Sequence, residues 1–157
     1  MRKLVIAAAM IATSSYAGNL NLKYGLPVLH AQGNGAFGSI GYQHSIFRAL
    51  NQQIETGLWT SRVRESGQKT SPFASYSLGV KVDLDYVYAE SMHGIGLIGQ
   101  PDVLLGGPGQ FFHDTGLGIK DRDGSSFGLQ WKHVSSAGAY KPNIGRDFVL
   151  IKVGLAL

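Results

Sequence analysis

The sequence predicts an all-β protein, an eight-stranded antiparallel β-barrel, and three observations lead to this fold class. Apolar and polar residues alternate with a period of two along most of the chain, as they do in strands whose faces meet different surroundings. Glycine is abundant (22 of 157 residues) and only 15% of residues are charged, which is typical of sheets with tight turns. Eight segments alternate, and an even number of strands suits a closed barrel.

The first four predicted strands span residues 19 to 27, 36 to 47, 51 to 63 and 72 to 84. The first alternates Leu20, Leu22, Tyr24 and Leu26 with Asn19, Asn21, Lys23 and Gly25. The second follows the turn signal Gly33-Asn34-Gly35, and Ser66-Gly67 separates the third from the fourth. The fourth places Ala74, Tyr76, Leu78, Val80, Val82 and Leu84 on one face.

The last four predicted strands span residues 86 to 98, 110 to 120, 125 to 135 and 147 to 157. Gly106-Gly107-Pro108 precedes the sixth and Asp123-Gly124 precedes the seventh. One face of the sixth carries Phe111, Thr115, Leu117 and Ile119; one face of the seventh carries Phe127, Leu129, Trp131, His133 and Ser135. The eighth presents Asp147, Val149, Ile151, Val153 and Leu155 together.

Two all-β architectures compete for this pattern, a soluble sandwich and an outer-membrane barrel. A sandwich turns long charged side chains toward water, but here the polar faces carry Gly, Ser, Asn, Gln and a few charges of both signs. These charged residues are Lys81, Asp83, Glu90, Asp114, Lys132 and Lys152. Small polar residues with paired charges suit a narrow barrel interior, and the aliphatic faces suit lipid. We therefore expect Glu90 and Asp114 in the lumen, neutralised by Lys81, Lys132 or Lys152.

The N-terminus predicts export to the cell outer membrane. Residues 1 to 17, MRKLVIAAAMIATSSYA, have the layout of a signal peptide, which leaves residues 18 to 157 as one barrel domain. Without Arg2 and Lys3 the net charge is 12 − 10 = +2, too small for a nucleic-acid binder. Cysteine is absent, which excludes disulfides and a cysteine nucleophile.

The stretch WKHVSSAGAYKPNIGRD, residues 131 to 147, contains a histidine, a hydroxyl and a carboxylate. Because both termini of an even-stranded barrel lie on the periplasmic side, the connection after Ser135 is extracellular. Residue parity places His133, Ser135 and Asp147 on the lipid faces of two neighbouring strands at the outer rim. A polar group there is not explained by stability, and the three types are those of a hydrolytic triad.

No metal or other cofactor is expected. His30, His44, His93 and His113 show no paired ligand spacing, so a zinc site is not predicted.

The segment from His133 to Gly138 (HVSSAG), followed by Pro142-Asn143, Gly145 and Asp147, resembles the C-terminal signature of the lipid A 3-O-deacylase (PagL) family. The resemblance covers about the C-terminal half of the chain; upstream it includes Tyr88-Ala89-Glu90, Gly94-Ile95-Gly96, Phe112-His113-Asp114 and Gly118. It implies an eight-stranded outer-membrane barrel that cuts the ester-linked acyl chain at the 3-position of lipid A without a metal.

By position, the resemblance makes Ser135 the nucleophile, His133 the general base and Asp147 the residue that orients the imidazole. The Asn143 side chain and the Gly138 backbone N–H would form the oxyanion hole. The family's usual acid is glutamate, so Asp147 is one methylene shorter, and Ser136 stands where asparagine is common.

The expected partners are lipopolysaccharide, as substrate, and outer-membrane lipid, with the barrel acting as a monomer or a homodimer. Two other functions stay open at this point. One is a non-enzymatic small barrel that anchors or binds through its outer loops, and the other is a phospholipase-like barrel.

Overall fold

A computed structural model of the chain describes residues 18 to 28, 35 to 63, 67 to 100 and 104 to 157. It contains eight strands: β1 (Gly18–Val28), β2 (Phe37–Phe47), β3 (Leu50–Val63), β4 (Gly67–Leu84), β5 (Val87–Ile98), β6 (Gly109–Lys120), β7 (Ser126–Ser135) and β8 (Arg146–Ala156). Each strand pairs antiparallel with the next, and β1 pairs with β8, which closes the barrel. The eight-stranded antiparallel barrel is therefore confirmed, whereas the predicted signal peptide lies outside the described residues.

Seven strands begin and end within one residue of their predicted bounds, and β4 is the exception. It was predicted to begin at residue 72 but begins at Gly67. Residues 67 to 71 lack the apolar alternation, yet they continue the ladder, so that Gly67 pairs with Val63 and Ser71 with Trp59. Backbone hydrogen bonding to β3 thus extends β4 beyond the part that the hydrophobic pattern marks.

The two surfaces of the barrel have opposite character. Large apolar side chains cover the outside, for example Leu22, Tyr24 and Leu26 of β1, all more than 40% exposed. The inward residues of the same strand, Asn21 and Lys23, are buried. An apolar exterior around a polar interior is the arrangement that lets a barrel cross a lipid bilayer, so the protein is an outer-membrane barrel. No helix among the described residues is long and apolar enough to span a membrane.

Buried charges in the lumen pair with one another. Glu55 accepts hydrogen bonds from the ammonium groups of Lys23 and Lys132, each at 3.1 Å, and both ammonium groups also lie 2.9 Å from Asp114 carboxylate oxygens. The four side chains are almost fully buried, so each charge needs this compensation. The sequence prediction that Asp114 lies in the lumen beside a lysine is confirmed.

A second buried pair joins Lys152 Nζ to Glu90 Oε1 at 2.6 Å. This contact confirms the predicted lumen position of Glu90. Of the three lysines given as alternatives, Lys132 and Lys152 pair with these carboxylates, whereas the Lys81 ammonium lies 4.0 Å from Asp83 at the rim of the barrel.

The outer half of the lumen is filled by an apolar plug. Its members are Phe37, Trp59, Phe73, Ile98, Leu105, Phe112, Val134, Phe148 and Leu150. Ring centroids within the plug lie 5.0 to 6.3 Å apart, which is the spacing of packed aromatic pairs. The sequence pattern predicted a polar interior, and the structure differs at this end, where apolar side chains fill the lumen.

The register around the barrel fixes the tilt of its strands. Starting from Val28 at the outer end of β1, directly opposed residues follow one another around the barrel and return to β1 at Gly18, ten positions lower (28 − 18). The intervening residues are Asp147, His133, His113, His93, Leu78, Gln52 and His44. With strands about 4.8 Å apart and a rise of about 3.3 Å per residue, this shift gives a tilt of about 41°. From each strand to the next, the residues of this row therefore lie about 3 Å closer to the periplasm along the barrel axis.

Candidate functional site

His133 and Asp147 meet at the outer rim, on neighbouring strands. They are directly opposed in the β7–β8 ladder, and His133 Nδ1 lies 2.9 Å from Asp147 Oδ1. Opposed side chains on one face have Cβ atoms about 5 Å apart, which explains why the short aspartate side chain is long enough here. Asp147 is only 9% exposed although it belongs to the outward set of β8. The contact leaves His133 Nε2 on the opposite edge of the ring.

Two neighbours hold the His133 ring in place. The Trp131 ring stacks on it with centroids 5.7 Å apart and an interplanar angle of 25°. Gly145 also lies so close that a Cβ atom built there would be 2.7 Å from His133 Cε1. Gly145 also has a φ of 78°, a backbone conformation that glycine adopts without strain. The close approach to His133 and the positive φ therefore each favour glycine at position 145.

Ser135 lies two residues beyond His133 on the same face of β7. Both line an outward-facing groove of about 480 Å³, together with His93, Ile95, Phe111 and His113 among others. Among the described hydrogen bonds there is none between the Ser135 hydroxyl and His133. The structure thus brings the predicted hydroxyl and imidazole into one groove, with the imidazole oriented by the carboxylate.

The loop after Ser135 turns sharply. Ala137 and Gly138 have φ values of 48° and 86°, and the Ala139 N–H donates to the Ser136 carbonyl at 2.9 Å. These are the features of a type I′ turn, and an alanine with positive φ is unusual enough to suggest a functional constraint. The turn exposes the peptide of Gly138 directly beyond the strand end.

Asn143 lies in the same loop, and among the described hydrogen bonds its side-chain amide uses only the oxygen atom. Its Oδ1 accepts a hydrogen bond from the Ser136 N–H at 2.8 Å. That bond ties the loop to the residue after Ser135 and leaves the amide NH₂ group of Asn143 as a donor. Asn143 and Gly138, the two predicted oxyanion donors, therefore belong to one loop that starts at Ser135.

A neighbouring loop supports the loop that carries these donors. The Ile144 N–H donates to the Leu104 carbonyl at 2.9 Å, and the Tyr140 ring packs over the backbone of Gly107. Leu105 is fully buried in the apolar plug. The loop that carries the donors is consequently connected to the apolar plug.

Three histidines and the aspartate form one row on the outer surface. His93, His113, His133 and Asp147 are directly opposed on β5, β6, β7 and β8, and we call them the histidine row. The rings of His93 and His113 are 4.2 Å apart. No group of three or more histidine, aspartate or glutamate side chains in the described ranges is arranged to hold a metal ion.

The chain shares its fold with the outer membrane enzyme PagL. The crystal structure of PagL superposes with a TM-score of 0.66 at 16% sequence identity, covering 88% of this chain and 99% of PagL. Ail, the attachment invasion locus protein of Yersinia pestis, solved in complex with the heparin analogue sucrose octasulfate, is also similar. Its TM-score is 0.52 at 10% identity, over 92% of this chain and 100% of Ail. No family model and no curated protein sequence matches the chain.

At these identities the likeness to PagL and Ail shows the fold of the barrel as a whole. The contacts that three residues make with the site were not predicted from the sequence, although Gly145 and His113 belong to the signature quoted above. Gly145 and Trp131 contact His133, and His113 is paired with it across the ladder. The outward parity of Trp131 and His113 was available as a signal, but their contacts depend on register, which the sequence does not state.

Proposed function

We propose that the protein is a serine-type ester hydrolase that removes an acyl chain from lipid A in the outer leaflet. The observation that carries this proposal is the 2.9 Å contact between His133 Nδ1 and Asp147 Oδ1, beside Ser135 in a groove that faces lipid. A base oriented by a carboxylate and next to a hydroxyl is the arrangement used for nucleophilic catalysis.

In the first half of the reaction, Ser135 Oγ attacks the ester carbonyl carbon and its proton passes to His133 Nε2. Asp147 accepts the hydrogen bond from Nδ1–H, which fixes the tautomer and stabilises the imidazolium. Negative charge develops on the carbonyl oxygen, where the Gly138 N–H and the Asn143 amide are suited to donate. The proton on Nε2 then moves to the departing sugar oxygen as the ester C–O bond breaks.

In the second half, water attacks the acyl-serine. His133 Nε2 accepts a proton from the water, and the same two donors stabilise the second tetrahedral intermediate. When the bond to Ser135 Oγ breaks, the proton returns to Oγ and a free fatty acid leaves. The rim position gives the water access from the extracellular side.

The substrate assignment rests on two supports. The groove opens on the outside of the barrel, so an acyl ester reaches Ser135 laterally, without leaving the membrane. The sequence resemblance to the lipid A 3-O-deacylase family, together with the fold shared with PagL, favours the ester-linked chain at the 3-position of lipid A.

Mass spectrometry of lipid A tests the proposal. We expect lipid A from Gram-negative cells expressing the wild type to lose the mass of one ester-linked acyl chain. Ser135→Ala should abolish the loss, whereas Ser45→Ala, at a half-buried serine near the periplasmic turn, should retain it. Unchanged lipid A with a correctly folded wild type would contradict the proposal and favour a non-enzymatic barrel; release of lysophospholipid would indicate a phospholipase instead.

A further inference from the structure

A polar pocket opens at the periplasmic mouth of the lumen, at the opposite end of the barrel from the groove that contains Ser135. Its volume is about 190 Å³, the room that roughly six water molecules take up in the liquid. Strand ends and turns form its wall, which includes Asn19, Ser45, Asn51 and Gly124. Because the apolar plug fills the outer half of the lumen, a ligand reaches this pocket from the periplasm.

The charged residues that line the pocket are mostly cations. They are Arg48, Lys81 and Lys120, and Asp83 is the one carboxylate among the described lining residues. The two lysines share this carboxylate, since Lys120 Nζ lies 3.3 Å from its Oδ2 and Lys81 Nζ lies 4.0 Å from its Oδ1. The lining therefore carries a net charge of 3 − 1 = +2. A concave, low-dielectric surface with charge of one sign raises the local concentration of ions of the opposite sign.

The ammonium group of Lys81 has few partners for its burial. Its side chain is only 10% exposed, and none of the described hydrogen bonds comes from its Nζ atom. It has the long ion pair to Asp83 and lies 4.7 Å from the centre of the Tyr88 ring. Glu90, which opposes Lys81 in the ladder, is paired with Lys152 at 2.6 Å. An ammonium with three N–H donors and no hydrogen bond has lost hydration that a bound anion would replace.

Arg48 adds a third cation at the entrance of the pocket. It lies in the β2–β3 turn with a φ of 49°, which is uncommon for a residue with a Cβ atom, and Ser45 Oγ donates to its carbonyl at 2.8 Å. Its guanidinium lies 5.0 Å from the centre of the Phe47 ring, and none of the described hydrogen bonds comes from it. The turn thus holds five N–H donors beside the two lysines.

We propose that this pocket binds a doubly charged phosphate group, with Lys81 and Lys120 as the inner contacts and Arg48 at the entrance. The pocket and the outer groove are separate, so this site does not depend on the proposed hydrolase. A phosphate presents several strong acceptor oxygens to the three cations at once, and its charge of nearly −2 as a monoester balances the lining. The lysines face the lumen, where a dissolved phosphate or small phosphomonoester reaches them, whereas bilayer lipid contacts the outer face of the wall.

A titration of the purified protein in an uncharged detergent tests the site. Sodium phosphate is added at constant ionic strength, at a pH where it is a dianion, and backbone amide resonances are recorded. We expect saturable shifts at Arg48, Lys81 and Lys120 and none at Ser135. Sodium acetate, a monoanion, should bind at least about 10-fold more weakly. Short-chain phosphatidylglycerol, which offers its phosphate as a lipid head group, should also bind more weakly than phosphate.

Two substitutions should change the affinity in opposite directions. Lys81→Met removes the buried charge and should weaken phosphate binding by roughly 10-fold or more. Asp83→Asn removes the carboxylate that competes for both lysines and should tighten it. The matched controls carry the same charge changes outside the pocket: Lys69→Met, at an exposed position near the outer end of β4, and Asp123→Asn, at an exposed turn position. Both should change the dissociation constant much less than their counterparts.

Several results would overturn the phosphate site. They are the absence of saturable shifts, equal affinity for phosphate and acetate, and equal effects of Lys81→Met and Lys69→Met. Tighter binding of phosphatidylglycerol would overturn the assignment to a dissolved phosphate. Because the titration contains no lipid A, its outcome is read separately from that of the hydrolase assay.

Discussion

Replacing Gly145 with alanine is the sharpest test of the role assigned to His133. The added Cβ atom would lie 2.7 Å from His133 Cε1 and 3.3 Å from Nε2. Ordinary van der Waals contact requires 3.4 to 4 Å, so the ring must retreat by 0.7 to 1.3 Å, or the loop must do so. Trp131, stacked on the imidazole, restricts the positions to which the ring can move. The 2.9 Å contact to Asp147 is the interaction that a shift of this size breaks.

The expected loss in catalysis follows from that displacement. Misplacing a reacting group by about 1 Å costs on the order of 100-fold in rate, so kcat/KM for fatty-acid release from lipid A should fall by about two orders of magnitude. The positive φ of residue 145 adds about 1 to 2 kcal/mol of strain for any residue with a Cβ atom. Release of fatty acid in detergent micelles measures the first effect, and thermal unfolding followed by circular dichroism measures the second.

Gly67→Ala separates steric displacement from backbone strain. Gly67 has a φ of 73°, close to that of Gly145, but nothing lies within 4 Å of the added Cβ atom. This variant should share the loss of stability and keep wild-type kcat/KM. If folded Gly145→Ala keeps more than half of the wild-type kcat/KM, the close approach of Gly145 does not position the His133 ring for catalysis.

Two further substitutions, each with a control, test one carboxylate on the outer surface, Asp147, and one in the lumen, Glu55. Asp147→Asn keeps the size of the side chain but no longer holds the His133 tautomer, so kcat should fall by about 10³- to 10⁴-fold; Asp123→Asn, in a periplasmic turn, should have no effect on the same assay. Glu55→Gln leaves its two buried lysine partners undercompensated and should lower the free energy of unfolding by about 3 to 5 kcal/mol in urea titrations. The corresponding change at a rim ion pair, Asp83→Asn, should cost less than about 1 kcal/mol, and equal losses for the two variants would contradict the network.

Period-two alternation was sufficient to predict the strands and their faces. A residue on a closed barrel has only two choices of face, and one apolar neighbour two positions away decides between them. This is why Ser135 and Asp147 could be assigned to the outer surface, and why Glu90 could be assigned to the lumen. To predict that His133 and Asp147 face each other, it was enough to know that their two strands are joined as a hairpin.

Period-two alternation could not predict contacts across several strands. His93, His113 and His133 are 20 residues apart in each interval, and the registers of the β5–β6 and β6–β7 pairs place them in one row. Sequence spacing encodes neither those registers nor the apolar plug, because an isolated phenylalanine such as Phe73 on a polar face does not show that others meet it. The start of β4 was missed because ladder pairing continues where the hydrophobic pattern stops.

The apolar plug determines which concentration of substrate sets the rate of the proposed reaction. Because packed aromatic rings occupy the outer half of the lumen, solutes gain no passage to the groove through the barrel, and under the proposed function a lipid ester arrives from the plane of the bilayer. The effective concentration of a substrate is then its mole fraction in the outer leaflet, unaffected by the volume of the surrounding medium. Diluting the substrate with inert lipid should slow turnover, whereas diluting the whole suspension with buffer should leave turnover per molecule unchanged.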